Sequence, residues 1–146
     1  MQKILLVHGP NLNMLGRREK KHYGSFALAD VVETVEKIAS AKGYDVLAYQ
    51  SNHEGDLIDF IHEHLDESSG MLINAGALTH YSYALLDCLT LCPYPIIEVH
   101  ISDIEQRESF RQVSVIRAAC ADVVIGQGFR SYELALEKLW KQIEEN

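Results

Sequence analysis

Two segments, Ile4-Leu5-Leu6-Val7-His8 and Pro95-Ile96-Ile97-Glu98-Val99-His100, are apolar at almost every position and end on a histidine. Side chains alternate between the two faces of a strand, so a run of this kind is stable only when both faces are covered. That is the situation of a parallel sheet packed between helices. The spacing of apolar residues predicts strands over 3–8, 44–50, 70–74, 95–100 and 122–125. Between them, apolar residues return at helical intervals: Leu28, Val31, Val32, Val35, Ile38 and Ala39 before Gly43; Leu57, Ile58, Ile61 and Leu65; Ala84, Leu85 and Cys88 before Pro93; and Leu136, Leu139, Trp140 and Ile143 near the end. A further helical segment fits between the fourth and fifth strands. This alternation predicts a single α/β domain over 1–146, a three-layer flavodoxin-like sandwich on a five-stranded parallel sheet of order 2-1-3-4-5.

Composition excludes several classes of function. At 146 residues and 47% hydrophobic content, the chain suits one domain with one core of ordinary size. A net charge of −8 with no broad basic stripe argues against nucleic acid and anionic membrane as partners. The apolar runs are too short to span a bilayer, and the N-terminus has neither a long apolar segment nor a small-residue cleavage site, so a cytoplasmic location is expected. Basic residues crowd one stretch only, Arg17, Arg18, Lys20, Lys21 and His22, which reads either as a solvated loop or as an attractor for an anionic substrate. The three cysteines, Cys88, Cys92 and Cys120, are odd in number and do not suggest a disulfide framework. Cys88 and Cys92 share a helical face but lack the further ligands a metal would need, so buried thiols are expected.

In open parallel sheets, ligands bind beyond the carboxyl ends of the strands, near the point where strand order reverses. That rule selects the segment from Gly9 to Gly24, Ser51 to Gly55, Asn74 to His80, Glu98 with His100, Ser102 and Asp103, and Gly126 to Gly128. The set is rich in Asn, His, Ser and Gly, the composition of a polar small-molecule pocket. It contains no Walker or dinucleotide fingerprint and no metal-binding histidine or cysteine pattern. Ser102 shares a strand face with His100 and points alongside it, which does not make a nucleophile–base pair. Acid–base chemistry without a cofactor remains.

His100 is the natural proton donor or acceptor, or else a strand-end residue capping the core. Glu98 shares its face and must find partners inside an apolar strand, either orienting the imidazole or entering a structural ion pair. Tyr23 is a weak base at its ordinary pKa of about 10, but a guanidinium such as Arg18 would favour the phenolate. Without that neighbour it reads as a loop anchor. Asn11 and Asn74 suit hydroxyl, carboxylate or enolate oxygens. Arg111 suits a carboxylate, or is a surface arginine on a helix.

At these residues the chain closely resembles the type II 3-dehydroquinate dehydratases, the type II dehydroquinases. The shared segments are Gly9-Pro10-Asn11-Leu12-Asn13-Met14-Leu15-Gly16-Arg17-Arg18-Glu19 with Tyr23-Gly24, Gln50-Ser51-Asn52-His53-Glu54-Gly55, Ile73-Asn74-Ala75-Gly76-Ala77-Leu78-Thr79-His80, Ile97-Glu98-Val99-His100-Ile101-Ser102, and Arg107-Glu108-Ser109-Phe110-Arg111. The resemblance implies cofactor-free trans-elimination of water from 3-dehydroquinate to 3-dehydroshikimate. It assigns Tyr23 as the proton acceptor, Arg18 as transition-state stabiliser, Asn11 to a water that steadies an enolate, His100 as the proton donor and Glu98 as its support. It assigns substrate contacts to Asn74, His80, Ile101, Ser102 and Arg111, and Asp87 to a neighbouring subunit's site. It further implies a homo-oligomer, a dodecamer built from trimers, and a loop after the first strand that closes over substrate. Asp103, Lys20 and Tyr81 depart from the family pattern without removing a reacting group. The alternative is a non-catalytic small-molecule-binding module on the same fold. A phospho-receiver is excluded, because His8-Gly9-Pro10 and Asn74 stand where it would need acidic residues.

Overall fold

The structure, a computed structural model, describes residues 2–17 and 25–145. Five strands form one sheet: β1 (Gln2–His8), β2 (Tyr44–Gln50), β3 (Ser68–Asn74), β4 (Ile96–His100) and β5 (Asp122–Ile125). All pairings are parallel and the order is β2-β1-β3-β4-β5, as expected for the flavodoxin-like topology. Register places Leu6 beside Leu72 and Leu72 beside Ile97, so one apolar row crosses the centre of the sheet.

Alternation along the strands then sorts side chains into two cores. Ile4, Leu6, Leu72, Ile97 and Val99 face α1 (Leu28–Ala41) and α4 (Ser131–Glu144), packing on Val31, Val35, Leu136 and Leu139. Leu5, Val7, Met71, Ile73 and Ile96 face α2 (Glu54–Glu63) and α3 (Tyr83–Thr90), packing on Leu57, Ile61, Leu85 and Leu89. Each fully buried leucine in these layers contributes roughly 2–3 kcal/mol through removal of its surface from water. Two helix starts are fixed locally. The Asp30 carboxylate accepts the Ala27 N–H at 2.9 Å, and Ser82 Oγ accepts the Leu85 N–H at 3.0 Å.

Several expectations differ from what forms, β1 and β3 beginning earlier, at Gln2 and Ser68. No α-helix lies between β4 and β5. Three 3₁₀ turns, Ile104–Gln106, Ser109–Gln112 and Ile116–Ala119, take its place. Polar side chains in this stretch bind nearby backbone instead of leaving it to a helix: Asp103 accepts the Glu105 N–H at 3.1 Å, and Gln112 donates to the Arg107 carbonyl at 3.0 Å. Leu65 falls outside α2, which ends at Glu63. The fourth strand begins at Ile96, one residue after Pro95, whose ring nitrogen has no N–H to give a ladder.

Candidate active site

The strand order reverses between β1 and β3, and there the two following loops touch. The Gly9 N–H donates to the Asn74 carbonyl at 2.8 Å. A Cβ on Gly9 would lie 2.1 Å from the Ala75 carbonyl oxygen, and one on Gly76 would lie 2.9 Å from that of Pro10. Gly76 also has φ +61°, a backbone conformation side chains disfavour. Glycine at both positions lets the loops cross at backbone contact and brings Asn11 and Asn74 to one cleft. Asn11 is the one non-glycine described residue at positive φ, 71°, a conformation asparagine tolerates better than most. Its backbone N–H is held by Asn52 Oδ1 at 2.9 Å.

Around that crossing, Pro10, Asn11 and Leu12 form one wall of the cleft. Asn74, Gly76, Ala77 and His80 form the second. His100, Ile101, Ser102, Ile104, Arg107 and Arg111 form the third. The expected Asn11, Asn74, His80, His100, Ile101, Ser102 and Arg111 therefore converge. Glu98 is fully buried behind His100. Asp87 lies on the exposed face of α3 and does not line this cleft. The loop after β5 does not line it either. It pins β4 from behind, the Gly126 N–H donating to the His100 carbonyl at 3.0 Å and the Gly128 N–H to the Ile101 carbonyl at 3.1 Å. Arg18 and Tyr23 lie outside the described residues.

His100 and Glu98, two apart on β4, share the face turned toward the 3₁₀ turn Ile116–Ala119. His100 Nε2 contacts Glu98 Oε2. Arg117 grips the same carboxylate with a fork, Nε to Oε1 at 3.1 Å and Nη2 to Oε2 at 3.2 Å. Burial alone would raise the Glu98 pKa, but the hydrogen bonds and charges of His100 and Arg117 outweigh it and hold the carboxyl at about 2. Glu98 thus touches the imidazole and an arginine at once.

Asn74 reaches the cleft from the opposite face of the sheet. Its Nδ2 donates to Tyr132 Oη at 3.3 Å, and its Oδ1 accepts the Gly76 N–H at 3.2 Å. Tyr132 Oη lies 2.8 Å from His8 Nε2. Burial lowers the His8 pKa to about 3 and raises that of Tyr132, so both are neutral at neutral pH. A neutral tyrosine that accepts from Asn74 donates to His8, which fixes Nε2 as acceptor and the proton on Nδ1.

His80 has the same tautomeric logic on the cleft wall. Its Nδ1 lies 2.7 Å from the Val113 carbonyl and must donate to it, leaving Nε2 as an acceptor. Burial lowers its pKa more than that hydrogen bond raises it. Arg111 stacks on Phe110, 4.7 Å from the ring centre, and its Nε lies 3.3 Å from Glu108. With Arg107 it makes this wall cationic inside a net acidic chain.

Arg117 and Tyr132 did not stand out in the sequence. Arg117 sits 19 residues from Glu98 in a stretch without periodicity, and Tyr132 reads as one more apolar helix residue. A buried acid inside an apolar strand was the available signal that some distant cation must answer it.

The sheet order and the strand-end cleft define a flavodoxin-like α/β protein whose site gathers an imidazole–carboxylate pair, two carboxamides and guanidinium groups. A family profile, Dehydroquinase class II, matches residues 2–140. A 3-dehydroquinate dehydratase from Bacillus cereus (strain AH820) is 50% identical over 145 residues, covering 99% of each chain. Type II dehydroquinase crystal structures from Butyrivibrio crossotus and Propionibacterium acnes superpose with TM-scores of 0.90 each, at 44% and 38% identity. They cover 94% and 97% of this chain and 97% of their own. The chain belongs to the class II dehydroquinases.

Proposed function

We propose that the protein is a hydro-lyase, a 3-dehydroquinate dehydratase that eliminates water through an enolate without a cofactor. The observation that carries this reading is the His100–Glu98–Arg117 chain ending on the wall of a cationic cleft. Such a wall attracts a carboxylate substrate, and an imidazole lining the cleft suits the protonation of a departing hydroxyl.

Tyr23 as tyrosinate takes the proton from the carbon beside the ketone, with Arg18 favouring its phenolate. Charge moves onto the ketone oxygen, where a water held by Asn11 stabilises the enolate. The electrons then return to form the carbon–carbon double bond. The hydroxyl leaves with a proton from His100, and Glu98 keeps the imidazole in place. One hydrogen and one hydroxyl are lost as water, and the product is a conjugated enone. Asn74, His80, Ser102, Arg111 and the Ile101 backbone hold the substrate. His80 Nε2, left as an acceptor, suits a substrate hydroxyl.

Ultraviolet absorbance of the enone tests the reading. Purified protein with 3-dehydroquinate should give a steady rise, and no rise would overturn the function. Tyr23→Phe and His100→Ala should each lose most turnover while keeping the fold; near-normal turnover in Tyr23→Phe would remove the base assignment. The same proposal includes a dodecamer in which Asp87 reaches a neighbour's site, supported by the exposure of Asp87 on α3. Sedimentation as a monomer alone would contradict it. A place in the cytoplasm, in aromatic amino-acid biosynthesis through shikimate and chorismate or in quinate breakdown, accords with this chemistry.

A further inference from the structure

Glu98 carries one negative charge and serves two cations. Its Oε2 is shared, meeting both His100 Nε2 and Arg117 Nη2, while Oε1 is taken by Arg117 Nε. The carboxylate is fully buried, so water offers it no third partner. Whatever share of the charge Arg117 holds is withheld from the imidazole. We infer that Arg117 is a positioning residue that sharpens His100 as an acid, drawing the Glu98 carboxylate away so that the imidazolium releases its proton more readily. This rests on the proposed role of His100 as proton donor.

The other groups facing the pair do not replace this effect. Cys120, beside the 3₁₀ turn of Arg117, is pushed up to about 12 by burial and by the Glu98 charge, so it stays neutral. His80 from the β3 loop is lowered and uncharged at neutral pH, and Asn74 has no charge. Arg107 and Arg111 line the cleft and are fixed cations, but neither makes a hydrogen bond to Glu98, whose hydrogen-bond partners among the described residues are His100 and Arg117. Among the described residues, Arg117 alone couples to the imidazole through the shared oxygen. Its side chain is 40% exposed, so water screens part of its charge. The expected effect is a shift on the order of one pH unit rather than several.

The experiment follows the His100 ring by NMR in histidine-labelled protein without substrate, and separately records kcat against pH. In Arg117→Gln the His100 titration midpoint should move upward by about one pH unit. The alkaline limb of kcat should move with it and KM should change little. Arg117→Lys keeps the charge but loses the fork, and should move both readouts in the same direction by less. If the glutamine variant does not fold, the lysine variant carries the test alone. A folded variant whose His100 midpoint stays in place, or moves down, overturns the inference. Because the NMR titration needs no catalysis, it separates this inference from the catalytic reading. If the unaltered protein's alkaline limb fails to follow the His100 titration, the acid assignment falls while the coupling through Glu98 stands.

Discussion

His8 offers a quantitative test of the buried polar chain beneath the cleft. Its side chain is almost wholly inaccessible, its Nε2 accepts from Tyr132, and burial lowers its pKa from 6.5 to about 3. In the unfolded chain the same imidazole takes a proton near its ordinary value. Below that value the unfolded state binds the extra proton and the folded state does not. The stability tied to His8 is therefore fully present above about pH 6.5 and is lost as pH falls toward about pH 3. Each pH unit inside that window costs about 1.4 kcal/mol, so lowering the pH from about 7.5 to about 5 should cost roughly 2 kcal/mol from this residue alone. His8→Gln keeps a carbonyl oxygen able to accept from Tyr132 but does not titrate. Urea unfolding of both proteins at the two pH values, at one fixed protein concentration, isolates the effect because all other titrating groups cancel in the difference. The unaltered protein should lose roughly 2 kcal/mol more than the variant across the interval. Equal losses would show that His8 is not held neutral by burial, and the tautomer assigned to it would fall with that premise.

Three further outcomes follow from the same geometry. Tyr132→Phe removes the hydroxyl between Asn74 and His8 and strands two buried polar groups, so it should lower stability by about 1–3 kcal/mol and raise KM more than it lowers kcat; denaturant titration and initial rates check both. Gly9→Ala places a methyl 2.1 Å from a backbone carbonyl and must push the β1 and β3 loops apart, so thermal unfolding should show a loss above about 3 kcal/mol. Glu98→Gln leaves the imidazole without its carboxylate and Arg117 without its counter-charge. Steady-state rates near neutral pH should show kcat lower by on the order of 10²-fold.

The sheet was legible because buried parallel strands leave little freedom in composition. Ile4 to Val7 and Ile96 to Val99 can satisfy both faces only at the centre of a covered sheet, and the strand order matches the flavodoxin-like topology expected for such an alternation. The cleft residues were legible for a related reason, since a parallel sheet sends all its strand ends to one edge. The segment between β4 and β5 was not, because its polar side chains bind their own backbone and leave no apolar stripe to read. Arg117 was invisible for the same cause, and Tyr132 was masked by apolar neighbours on α4. Long-range polar pairs leave no local periodicity. Only the demand of a buried group for a partner announces them.

Asn74 and His100 enter the cleft from opposite faces of the sheet, each backed by a different core layer. For protein engineering, this gives the fold two dials, one on each face of the sheet. Changes around Tyr132 reach the Asn74 carboxamide, the group proposed to hold substrate. Changes around Arg117 reach, through Glu98, the imidazole proposed as proton donor. The two sides are joined where Ser131 of α4 donates to the His100 carbonyl at 3.4 Å, so a double-mutant cycle should measure how far paired changes couple. Libraries for affinity and for pH optimum should therefore hold Ser131 fixed.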